Sequence, residues 1–118
     1  MPNIFDLEER TARFSESIID FIRKIQLTPL NKSILSQIIR SGTSVGANYC
    51  EANESESKKD FIHKISICKK ECKETRYWLR LILKTNPEFK EIISQVWKEN
   101  QELLLIFSKI IVSTKNKN

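Results

Sequence analysis

Glycine and proline are nearly absent, with two and three copies in 118 residues. β architectures rich in turns need both at chain reversals, so their scarcity points to a few long helices with short connections. Cysteine is also sparse. Cys50, Cys68 and Cys72 form an odd set without C-x-x-C spacing, and Cys68 and Cys72 stand four apart, a helical interval. That pattern disfavours a disulfide framework and a zinc site, and predicts buried, reduced thiols in a cytoplasmic protein. The single histidine, His63, lies off the cysteine seam.

Long apolar runs are missing too. The longest, Leu103 to Phe107, is far short of the roughly 20 residues a bilayer requires, so no membrane association is expected. The start of the chain, M-P-N-I-F-D-L-E-E-R, is acidic and lacks the apolar stretch of a signal peptide. H-E-x-x-H, G-x-x-x-x-G-K-[ST], G-x-G-x-x-G and G-x-S-x-G do not occur. The chain is therefore read as non-enzymatic, with no catalytic residue, metal or cofactor assigned.

What is present organises around Arg40 to Ala52, which holds both glycines. Gly42 and Gly46 are four apart and share a helix face. Leu35, Ile38, Val45, Tyr49 and Ala52 continue a seam through Gly42 in steps of three and four. A mid-helix glycine costs about 1 kcal/mol against alanine, so two point to close approach of another backbone, the alternative being a Gly/Ser loop that splits two shorter helices. Its flank is small and polar: Gln37, Ser41, Ser44 and Asn48, with Glu51 beyond.

The pattern predicts four helices over about 6–26, 29–53, 58–85 and 87–113, then a disordered basic tail over 114–118. Asp6 is the expected first cap. Thr28-Pro29, Ser57 with Asp60, and Asn86-Pro87 open the other three. The first helix carries Leu7, Phe14, Ile18, Phe21, Ile22 and Ile25. The third carries Phe61, Ile65, Cys68, Cys72, Thr75, Leu79 and Ile82. The fourth turns apolar nearly all round in L-L-L-I-F-S-K-I-I-V, which reads as a subunit contact. The fold class is all-α: an antiparallel up-down-up-down four-helix bundle in one domain, 1–118. The glycine face is expected to meet the Cys68–Cys72–Thr75 seam, small against small.

Net charge is +5, but it is unevenly placed. Residues 57–85 hold nine basic and three acidic side chains, while every other quarter lies within one charge of neutral. At 100° per residue, Lys69, Lys73, Arg76, Arg80 and Lys84 fall within about 80° and form a ridge. Clustered Lys and Arg suffice to bind RNA or DNA backbone, and a solvated helix face is the plain alternative. Tyr77 sits beside the ridge, where it could stack on a base. Away from it, Ile67, Glu71, Glu74, Trp78 and Leu81 form a second stripe. Ile67, Trp78 and Leu81 are candidates for an oligomer interface. Arg40, Asn48, Glu51, Glu71 and Glu74 are expected to form a structural polar cluster, since part-desolvated carboxylates need partners. Glu71 and Glu74 share the spacing of bundle metal ligands, but the lone histidine is two turns away.

The segments S-G-T-S-V-G-A-N-Y-x-E-A, S-K-K-D-F-I-x-K-I-S-I and K-E-C-K-E-T-R-Y-W-L-R-L-I resemble the four-helix bundle family named after the 23S rRNA intervening-sequence protein. Arg40, Gly46, Asn48, Glu51, Ala52, Ser57, Phe61, Glu71, Glu74, Trp78 and Leu79 carry the resemblance. The usual pattern has Asn-Ile and Ile-Ala where this chain has Asn48-Tyr49 and Ile67-Cys68. The resemblance implies a ring-like homopentamer, in a family whose members mostly lack an assigned activity. A relative of the resembled family is the accessory variability protein of diversity-generating retroelements, a basic pentamer that binds nucleic acid and a reverse transcriptase. A reverse transcriptase is thus an expected partner if the gene lies in such an element. The family name records where some genes lie, inside rRNA genes. Two functions follow as expectations: a homo-oligomer that binds RNA or DNA through the ridge, or a protein–protein scaffold without nucleic-acid contact.

Overall fold

A computed structural model describes residues 4–117, with side chains from Leu7 onward. The chain forms α1 (Ile4–Arg23), α2 (Lys32–Asn53), α3 (Lys58–Thr85), a 3₁₀ turn at Pro87–Phe89, and α4 (Lys90–Lys115). Among the described residues there is no strand. The helices pack in ring order: α1 on α2, α2 on α3, α3 on α4, with α1 touching α4 least. The bundle measures 51 × 24 × 19 Å.

Each helix buries one seam that alternates steps of three and four. On α1 it is Leu7, Thr11, Phe14, Ile18, Phe21, continued by Ile25 just past the helix. On α2 it is Leu35, Ile38, Gly42, Val45, Tyr49 and Ala52. On α3 it is Ile65, Cys68, Cys72, Thr75, Leu79 and Ile82. On α4 it is Ile93, Val96, Asn100, Leu103 and Phe107. Seams of this period interlock as in coiled coils. Burying each large aliphatic or aromatic side chain contributes about 1.5–3 kcal/mol. The two residues at which the sequence departs from the pattern it resembles, Tyr49 and Cys68, fall inside this core. Tyr49 is fully buried, with its ring 6.2 Å from that of Phe107, and Cys68 is fully buried as well.

Both glycines are helical and face α1, which corrects the expected partner. A Cβ on Gly42 would stand 3.0 Å from Ile18 Cγ1. One on Gly46 would stand 3.3 Å from Thr11 Cβ and from the Thr11 backbone oxygen. The small residue that meets α3 is Ser41, whose hydroxyl accepts from Thr75 Oγ1 at 2.8 Å in a fully buried contact. Gly42 and Ser41 are neighbours on the helix, so α2 offers small groups to both adjacent helices.

Helix ends also differ from expectation. α1 starts at Ile4, before the expected cap at Asp6, whose side chain lies outside the described residues, and it stops at Arg23. Thr28 does cap the turn into α2: its Oγ1 accepts from Asn31 N at 3.1 Å, and Asn31 Oδ1 accepts from Thr28 N at 2.9 Å. Regular helix begins three residues after Pro29. Ser57 caps α3 by accepting from Asp60 N at 3.0 Å. Asn86 makes no side-chain cap. Its Oδ1 instead accepts from buried Asn31 Nδ2 at 3.1 Å and from Thr85 Oγ1 at 2.9 Å, tying two loops together at one end of the bundle. The expected tail at 114–118 is shorter, because α4 continues to Lys115 and Lys58 Nζ bonds the Lys117 carbonyl. Asn118 lies outside the described residues.

Candidate nucleic-acid interface

The capped, 28-residue α3 presents two outward faces on either side of its buried seam. The first is the basic ridge. Its ends, Lys69 and Lys84, are separated by about 22 Å at 1.5 Å per residue. Lys73, Arg80 and Lys84 are exposed, and Lys69 and Arg76 are half-buried. None of the five forms an ion pair among the described residues. The one polar contact in the row is Arg76 Nη1 to Gln101 Oε1 of α4, at a long 3.5 Å. Unpaired cations in a row keep their full attraction for an anion, since no intramolecular carboxylate must first be displaced.

The second face is the stripe of Ile67, Glu71, Glu74, Trp78 and Leu81, all half-buried. Here charge is matched. Arg40 of α2 reaches across to Glu74 in a close bond and to Glu71 at 3.5 Å, while its Nε donates to Gln37 Oε1 at 3.2 Å. The bond to Arg40 holds the Glu74 carboxyl below its ordinary range. Burial, followed by the bond with Glu74, pushes Glu71 above it. The same pairing, led by Glu74, raises the Arg40 guanidinium. Asn48 and Glu51 do not join this cluster. Asn48 Nδ2 donates to the Ser44 carbonyl on its own helix, and Glu51 pairs with Lys64 at 2.8 Å. Trp78 packs on the core, yet its Nε1 is buried without an acceptor among the described residues. Tyr77 touches Trp78 edge-on, with centroids 5.0 Å apart and planes at 72°.

No group of three or more His, Cys, Asp and Glu able to hold a metal ion occurs among the described residues. Cys68 and Cys72 are buried free thiols. Burial pushes Cys68 up to about 12 and Cys72 higher still, so both stay protonated. Cys50 departs from expectation, being exposed and 3.9 Å from Glu8 Oε1. His63 is exposed. No described helix is long and apolar enough to cross a membrane.

Sequence reasoning missed three polar anchors. Arg10 of α1 bonds Glu99 through two nitrogens, each at 2.7 Å, and Glu102 at 3.1 Å, bracing the seam between α1 and α4. Asn100, fully buried in α4, donates to the Cys72 carbonyl at 2.8 Å. Its signal was legible, because a lone amide falls on an otherwise apolar seam. The Asn31–Asn86 tie had none, since it joins residues 55 apart in sequence.

The family model described as 23S rRNA-intervening sequence protein matches residues 5–109. This chain belongs to that family. Among solved structures it is similar to a protein of unknown function from the S23 ribosomal protein family of Bacteroides thetaiotaomicron VPI-5482. The two are 31% identical, with a TM-score of 0.77 over 88% of this chain and 96% of that one. No curated protein matches this chain. Arg40, Glu71 and Glu74, three of the residues that carry the family resemblance, are the three joined in the cluster between α2 and α3.

Proposed function

We propose that this family member is a non-enzymatic homo-oligomeric bundle that binds the sugar-phosphate backbone of RNA or DNA through Lys69, Lys73, Arg76, Arg80 and Lys84. The observation that carries the reading is the unpaired state of all five cations, on the same helix whose Glu71 and Glu74 are both engaged by Arg40. A row about 22 Å long offers enough reach for several successive phosphates. The contact is to backbone alone, so affinity depends on salt and little on base sequence. Filter binding against a random-sequence oligonucleotide tests it. Lys73→Glu with Arg80→Glu is expected to lower affinity by about a hundredfold at low salt. Unchanged affinity in that variant overturns the proposal.

Self-association rests on the other face. A buried Trp78 Nε1 without an acceptor is costly, and an acceptor from a second copy would satisfy it. Half-buried Ile67 and Leu81 flank it; separately from that stripe, Leu105 and Val112 on α4 are 62% and 60% exposed. The pentamer implied by the family resemblance is the expected assembly. Sedimentation at micromolar concentration tests this, and a monomer refutes it. The scaffold reading keeps this self-association and drops nucleic acid. Oligomers that fail to bind any oligonucleotide favour it.

A further inference from the structure

Tyr77 stands apart from the other aromatic side chains of the bundle. It is 54% exposed, the only aromatic among the large apolar side chains left on the described surface. It is also held in place. Trp78, packed against the core, meets the Tyr77 ring edge-on at 5.0 Å. That contact restrains the phenol while leaving much of its surface open. Lys73 lies four residues before it and Arg80 three after, so both are its neighbours on the helix surface. Lys84 follows seven residues after, two turns along the same face. No cation–π contact or hydrogen bond covers the ring among the described residues.

An exposed, restrained ring flanked by unpaired cations is the arrangement that holds unpaired nucleobases. The cations track phosphates and the ring offers a flat surface to a base. A duplex cannot use such a ring, because its bases are stacked inside. Resting on the ridge reading, we infer that this face takes single-stranded nucleic acid, with one base stacked on Tyr77. The stack adds preference for strand form without sequence readout, because every base has a π-face.

The test compares three probes of equal length: oligo(dT), an abasic oligonucleotide with the same phosphates, and a DNA duplex. Wild-type protein is expected to bind oligo(dT) about tenfold more tightly than the abasic strand. Tyr77→Ala should erase that difference and leave abasic binding unchanged, while Tyr77→Phe should keep it. The residue is exposed, so circular dichroism should report an intact fold in both variants. If oligo(dT) and the abasic strand bind equally, or Tyr77→Ala binds oligo(dT) like wild type, stacking is refuted. Salt-dependent binding lost in Lys73→Glu with Arg80→Glu would then leave the ridge reading standing. If none of the probes binds, the ridge reading fails and this inference fails with it.

Discussion

The two outward faces of α3 treat charge in opposite ways. On one, Glu71 and Glu74 are half-buried and both reach Arg40 on the neighbouring helix. On the other, five cations project without a carboxylate partner among the described residues. Both faces arise from the same helix, so composition does not separate them. Partnering does. A charge matched within the fold contributes to holding helices together. A charge left unmatched contributes little to stability and stays available to a ligand. The contrast assigns structure to the Arg40 face and leaves the ridge as the face on which the proposed binding rests.

Between the two faces of α3, the largest expected effect comes from removing positive charge on either side. Lys73→Ala should weaken oligonucleotide binding about three- to tenfold while leaving the unfolding midpoint unchanged. Arg40→Ala should do the reverse. It strands the Glu71 carboxylate, which is only 13% exposed, and should cost about 1 kcal/mol in urea unfolding with binding unaltered. Equal effects of the two variants on both readouts would erase the distinction between the faces.

A smaller effect separates the two carboxylates. Glu74 sits below its ordinary value of 4.5, so its pairing stabilises the fold above that pH and is lost as the pH falls through the folded value. Glu74→Gln should therefore cost about 0.5 kcal/mol at pH 7 and nothing in strong acid. Glu71 sits above 4.5, so its ionisation works against the fold as the pH rises through the folded value. Glu71→Gln should be at least as stable as wild type at pH 7. Thermal unfolding between pH 3 and 8 checks both, and the same sign for the two variants would break the assignment.

The helices and their seams were legible because a period near 3.5 is a local property of sequence. The ridge was legible for the same reason, since helical geometry alone aligns Lys69 with Lys84. Which neighbour each seam meets is not local. Gly42 and Gly46 announced close packing but could not say against what. A helix in a bundle has two neighbours, and the glycines went to Ile18 and Thr11 of α1 while Ser41 went to Thr75. The same limit explains the polar cluster. Arg40 spans the gap to Glu71 and Glu74, but Asn48 is short enough to bond its own helix and Glu51 meets Lys64 first. Gly42→Val sharpens this correction. Its branched side chain would drive into Ile18 and should cost about 2 kcal/mol, whereas packing against the Cys68–Cys72 seam would leave Ile18 untouched.

The most direct measurement of the ridge's role is the slope of log affinity against log salt for a single-stranded oligonucleotide. Five unpaired cations imply a slope of about −3 to −4 per subunit, falling by about one for each ridge cation replaced by alanine. A flat salt dependence, or a slope unchanged in Lys73→Ala and Arg80→Ala but reduced in Arg40→Ala, would contradict the division of α3 into a paired face and a binding face.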